Sequence, residues 1–140
     1  MRFLLDTNIV SDLVRHPHGK ISDRISEVGE QDVCTSIVVA AELRYEATKK
    51  NSPRLTSQLE AVLGAIEVLA LEAPVDAVYG AIRAGLERTG QPVGANDLLI
   101  AAHALALDLT LVTDNGREFS RIDRLRGPRS ISRLRRSDRR

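Results

Sequence analysis

Residues 2–14 read Arg-Phe-Leu-Leu-Asp-Thr-Asn-Ile-Val-Ser-Asp-Leu-Val and hold two periodicities back to back. The short apolar run over residues 2–6 suits a buried strand and ends on Asp6-Thr7-Asn8, after which Ile9, Val10, Leu13 and Val14 recur at helical spacing. A strand that hands over directly to an amphipathic helix is the opening of a β-α unit. Its polar junction then lies at the strand's carboxyl end.

The same hand-over recurs along the chain. Residues 32–37 (Asp-Val-Cys-Thr-Ser-Ile) favour a strand and pass into the helix formers of residues 38–48. Asn51-Ser52-Pro53 breaks that helix, a helical pattern resumes over 54–65, and Val68-Leu-Ala-Leu gives a third strand. Pro74 suits a first helical position. Val75, Val78, Tyr79, Ile82 and Leu86 follow it as an apolar stripe, which predicts a helix lying against the sheet. From Asp97 the chain is apolar almost all round to Leu107, as in a buried helix, and residues 110–113 (Thr-Leu-Val-Thr) form a fourth strand closed by Asp114-Asn115-Gly116. Alternation of this kind predicts an α/β fold with a mainly parallel sheet.

With 140 residues and 43% hydrophobic content, the chain suits one domain with its own core. No apolar run approaches the roughly 20 residues of a membrane span, and Phe3, Leu4 and Leu5 are stopped by Asp6, so neither a membrane segment nor a secretory leader is expected. Cys34 is the single cysteine, which rules out an intrachain disulfide and a thiolate zinc site and fits a cytoplasmic setting. Charge is unevenly spread. Residues 117–140 carry ten Arg against Glu118, Asp123 and Asp138, an excess of +7, so with a net charge of +1 the rest of the chain carries −6. We place the domain at residues 1–125 and an Arg-rich tail at 126–140. Such a tail suits a phosphate backbone, an acidic protein partner or plain solvation.

In a parallel sheet, ligands bind at the carboxyl ends of the strands. Asp6 and Asp114 fall at two such ends, Asp97 opens the buried helix, and Glu42 shares a face of its helix with Val38, Val39 and Tyr45, expected to look toward the core. Each acid has a second reading: Asp6 and Asp97 as helix caps, Asp114 as a turn residue, Glu42 as a surface helix residue. Gathered together, they would take up protons or recruit a hard cation. An all-oxygen set suits Mg²⁺, with Mn²⁺ as a substitute, and such a site can polarise a phosphodiester and activate water. His16 and His18 flank Pro17 in a loop, and His103 is expected to be a hydrogen-bonded core residue, which disfavours a two-histidine ribonuclease. Walker-type and Gly-x-Ser-x-Gly motifs are absent from the sequence.

The motifs at residues 3–8 (Phe-Leu-Leu-Asp-Thr-Asn), 42–45 (Glu-Leu-Arg-Tyr), 81–87 (Ala-Ile-Arg-Ala-Gly-Leu-Glu), 94–104 (Gly-Ala-Asn-Asp-Leu-Leu-Ile-Ala-Ala-His-Ala) and 111–119 (Leu-Val-Thr-Asp-Asn-Gly-Arg-Glu-Phe) together resemble VapC-type PIN-domain toxins over residues 2 to 125. The resemblance implies a three-layer α/β/α fold in which Asp6, Glu42 and Asp97 match the acidic cluster, with Asp6 and Asp97 as metal ligands. The fourth position falls on Asp114 or its neighbour Asn115. Thr7, Asn8, Asn96 and Thr113 lie beside the acids, where they would orient ligands or waters. The resemblance further implies a Mg²⁺-dependent endoribonuclease toxin cutting structured RNA, commonly transfer RNA, as a homodimer and in a hetero-oligomer with a VapB-like antitoxin that inserts into the groove.

Relatives in that family often close on a short strand and an aromatic residue, whereas this chain has no aromatic after Phe119. The competing function is a PIN-like RNA-binding or scaffold module without catalysis. Two other classes fail on residues: an aspartyl-phosphate phosphatase needs a second Asp where Asn8 stands, and a phosphate-accepting receiver needs paired acids and an acceptor Asp that neither Ser36 nor Leu71 supplies.

Overall fold

The computed structural model describes residues 2–114 and the backbone of residues 129–130. Its elements are β1 (Phe3–Leu5), α1 (Thr7–Arg15), α2 (Lys20–Val28), a 3-10 turn (Glu30–Asp32), β2 (Val33–Ser36), α3 (Ile37–Lys50), α4 (Pro53–Ala65), β3 (Glu67–Leu69), α5 (Val75–Arg88), α6 (Ala95–Ala106), β4 (Thr110–Thr113) and β5 (Arg129–Ser130). The strands form one sheet in the order β3-β2-β1-β4-β5, with every neighbouring pair parallel. Parallel neighbours need crossovers, and the near-invariant right-handed sense puts α1 to α4 on one face and α5 and α6 on the other. The helices pair accordingly, α1 with α3 and α4 on one side and α5 with α6 on the other. The three layers and the parallel sheet expected from the sequence are present.

Leu4 and Leu5 of the central β1 are enclosed by both layers, along with Ile9, Val10, Val39, Ile100, Leu111 and Val112. Burial on both faces explains why β1, β2 and β4 read as unbroken apolar or small-residue runs rather than as alternating ones. Cys34 is buried within β2, as expected, and burial pushes its thiol above the ordinary range.

Four expectations need correcting. Helix α2 was not anticipated; only Ile21 and Ile25 are buried in it, too few apolar positions to stand out as a stripe. Strand β3 spans Glu67–Leu69 rather than 68–71, because this edge strand is only partly covered and its residues carry little hydrophobic signal. Helix α5 packs chiefly against α6 rather than on the sheet, so its stripe serves a helix pair. On α3 the buried face is Val39, Ala40, Leu43 and Ala47, which turns Tyr45 outward and leaves Glu42 half-buried at the margin. Residues 129–130, inside the segment assigned to the tail, pair with Val112 and Thr113 as β5. The rest of that tail, the boundary at residue 125 and Asn115 lie outside the described residues.

Candidate active site

The order β3-β2-β1-β4-β5 reverses direction between β1 and β4, and a crevice opens at the carboxyl ends of strands at such a switch point. Asp6 and Asp114 follow these two strands directly. The amide of Asp6 donates to the Val112 carbonyl at 3.1 Å, which extends the β1–β4 ladder to the acid itself.

Asp6 is 3% exposed and both carboxylate oxygens are held. Oδ1 accepts from the Ile9 amide at 3.0 Å, capping α1, and Oδ2 accepts from the Thr113 hydroxyl at 2.5 Å. The cap reading of Asp6 is therefore true, and it does not compete with a place in the acidic cluster. Burial pushes its carboxyl up from 3.8 to about 6, against the two hydrogen bonds, and the nearby charges of Asp114 and Asp97 push the same way. Asp97 and Asp114 thus lie near enough for their charges to act on Asp6.

Asp97 stands in the first turn of α6, half-buried. The helix starts two residues earlier than expected, with Gly94 at the N-cap position, so Asp97 is a first-turn residue rather than the N-cap. The helix N-terminus instead offsets part of its charge. Asp114 is exposed and accepts from Asn8 Nδ2 at 3.2 Å. Glu42 does not point into the core; its Oε1 accepts from the Thr7 hydroxyl at 2.9 Å. Thr7 and Asn8, the first two residues of α1, thus tie the Asp6 corner to Glu42 on one side and Asp114 on the other. Thr7, Asn8, Glu42 and Asn96 line one end of a cleft of about 360 Å³.

Among the described residues, no three His, Cys, Asp or Glu side chains converge closely enough to enclose a metal ion alone. The arrangement is an open set of oxygen donors. That suits a cation which keeps several waters and takes one or two carboxylates.

His103 is fully buried, its Nδ1 2.9 Å from the Ser36 hydroxyl, and burial lowers its proton affinity. It is the core histidine expected. Ser36, not among the residues expected to matter, caps α3 through the Val38 amide at 3.0 Å and so joins α6 to the start of the helix bearing Glu42. Its signal was available: a serine between a strand and a helix is a standard N-cap.

Residues 3–125 match the family model described as the PIN domain. The chain is also 38% identical over 127 residues to Ribonuclease VapC2 of Rickettsia felis, covering 89% of this chain and 95% of that one. The chain belongs to the VapC-type PIN-domain family. Another VapC relative, the tRNA(fMet)-specific endonuclease VapC of Shigella flexneri, is 37% identical, with 90% and 96% of the two chains covered. Among solved structures, the VapBC2 complex of Rickettsia felis bound to a promoter DNA fragment contains a VapC-like chain that superposes with a TM-score of 0.83 at 34% identity, covering 89% and 96%. No helix among the described residues of this VapC-type chain is long and apolar enough to cross a membrane.

Proposed function

We propose that this chain is the endoribonuclease toxin of a toxin–antitoxin pair and hydrolyses a phosphodiester of structured RNA, with transfer RNA the first substrate to test. The observation that carries the reading is Asp6: a carboxylate buried at the switch point with both oxygens held, near the charges of Asp97 and Asp114, and with its pKa pushed up to about 6 by burial. Such a group is poised for a positive partner. The named substrate of the Shigella flexneri relative supports transfer RNA, and the Rickettsia felis complex supports an antitoxin partner.

The donor set fits Mg²⁺, or Mn²⁺ in its place, with Asp6 and Asp97 as the residues that would hold it. When bound, the ion would supply Lewis-acid polarisation of the phosphodiester and a more acidic water. The remaining work belongs to the chain. Thr113 and the Ile9 amide fix both oxygens of Asp6 so that the carboxylate is set before any ligand arrives. Thr7 orients Glu42 at the cleft margin, where its free oxygen can take a proton from an attacking water. Asn8 holds Asp114 over the opposite rim. The N-terminus of α6 favours the charge of Asp97 and of an approaching phosphate.

Purified chain incubated with total RNA is expected to give discrete fragments with Mg²⁺ and none with EDTA. Mobility shifts without cleavage at any Mg²⁺ or Mn²⁺ concentration would instead identify a non-catalytic RNA-binding module. Expression without an antitoxin is expected to arrest growth, and normal growth with abundant folded protein would remove the toxin reading.

A further inference from the structure

Helices α1 and α3 both start at the carboxyl edge of the sheet and run away from it. Thr7 and Glu42, bonded to each other, mark their near ends in the cleft. Eight residues further along each helix, about 12 Å at 1.5 Å per residue, stand Arg15 and Lys50, and both line the same cleft. Tyr45, between them on α3, is 62% exposed and also lines it. The cleft thus carries Glu42 at its near end and two cations further along, with an open aromatic ring between Glu42 and Lys50, and with Glu46 as the second acid in its lining. Nothing in the acidic cluster needs these three residues.

We propose that Arg15, Lys50 and Tyr45 form a subsite for a nucleotide neighbouring the scissile bond, with the two cations on its phosphate and the tyrosine ring against its base. The inference rests on the ribonuclease reading above. Arg15 has no acidic partner among the described residues. Lys50 meets Glu46 only at 3.8 Å, in an exposed i,i+4 pair that a phosphate can displace. One face of the Tyr45 ring has Lys49 Nζ at 5.8 Å from its centroid, which leaves the other for a base and adds a third positive charge nearby. The cleft volume of about 360 Å³ is within the usual range of small-ligand sites, roughly 300–1,000 Å³. The chemistry also requires such a feature: an acidic end repels the RNA backbone it must act on, and cations along the same cleft offset that repulsion.

The test uses the full chain carrying Asp97→Asn to prevent cleavage, a fluorescent single-stranded RNA dodecamer as probe, and several salt concentrations. Arg15→Ala with Lys50→Ala is expected to weaken binding about tenfold or more and to lower the log–log salt slope by about 0.7 for each phosphate that is no longer neutralised. Glu46→Gln, which frees Lys50, is expected to tighten binding about two- to threefold. Tyr45→Ala is expected to weaken binding about tenfold with the slope unchanged, and Tyr45→Phe to restore it. With Asp97 intact and bulk transfer RNA as substrate, the same changes should raise KM while kcat moves little.

Unchanged affinity, slope and KM in folded variants would overturn the subsite. So would variants that bind RNA normally but lose affinity for the antitoxin, since the cleft end would then be a protein seat. Failure of the unaltered chain to cut any RNA is a separate result, and it would count against the ribonuclease reading itself.

Discussion

The Asp6 corner and the neighbouring cleft are built in opposite ways. At the sheet edge, Asp6 is buried, both oxygens are fixed, and its donors come from α1 and β4. Along the cleft, Arg15, Tyr45 and Lys50 are exposed and hold no tight bonds with each other. The corner invests folding stability in a preset carboxylate; the cleft leaves long side chains free to meet a variable ligand. The difference teaches where substitutions should act: changes at the sheet edge alter the chemical step, and changes along the helices alter capture of the substrate.

The largest effect expected is at Asp6 and Asp97. Asp6→Asn or Asp97→Asn should reduce RNA cleavage at least 1,000-fold, on the order of the losses seen when a charge-stabilising group is removed. Each variant should stay folded, and full cleavage by either purified protein would break the contrast. Next comes Thr113→Val, which removes one support of Asp6 without touching the cleft surface. It should cost about 10- to 100-fold in activity or metal affinity, as expected for a group that orients a ligand. Titration of cleavage against Mg²⁺ would show this, and an unaltered curve would mean that Asp6 needs no preset orientation.

A smaller effect concerns stability against pH. The Asp6 proton is held with a pKa of about 6 in the folded chain and 3.8 in the reference state, so between those values the folded form binds more protons. Stability of metal-free protein should therefore be lost from this group as pH rises through that window and regained on acidification, by up to about 3 kcal/mol. Asp6→Asn keeps an oxygen for the Ile9 amide and lacks the titration. Its melting temperature relative to the parent should rise from pH 5 to pH 8, and a constant difference would show that burial does not strain Asp6. The smallest effect is expected from the Arg-rich end. Deleting residues 131–140, which spares β5, should weaken RNA binding and flatten its salt dependence while cleavage at saturating RNA stays near that of the full chain. An unchanged salt slope in the Asp97→Asn background would remove the tail from substrate binding.

Where periodicity was strong, the sequence carried the architecture. The β1–α1 hand-over, the α6 helix and β4 all lie close to where their apolar spacing puts them, because burial on two sides leaves a dense pattern. Helix α2, with two buried residues, and the half-covered β3 left too little. Asp6 and Asp97 could be named one by one, yet spacing alone could not separate capping from clustering. The structure shows Asp6 as the N-cap of α1 with the charges of Asp97 and Asp114 nearby, and Gly94 rather than Asp97 at the N-cap position of α6. Arg15 and Lys50 escaped attention because each is an ordinary helix-surface residue, and Tyr45 was expected on the core-facing side of its helix. The signal for Arg15 and Lys50 was the matched interval of eight from Thr7 to Arg15 and from Glu42 to Lys50, which means something only once α1 and α3 are known to lie side by side.

The bond from Thr113 to Asp6 spans 107 positions, nearly the full length of the described domain. Strand β4 must slot in beside β1 before that bond can form, and α6 with Asp97 precedes β4 in the chain. A chain emerging from the ribosome therefore displays Asp6 early but cannot complete its surroundings until β4 has been made. Products that stop short of Thr113 should lack any activity that depends on a preset Asp6.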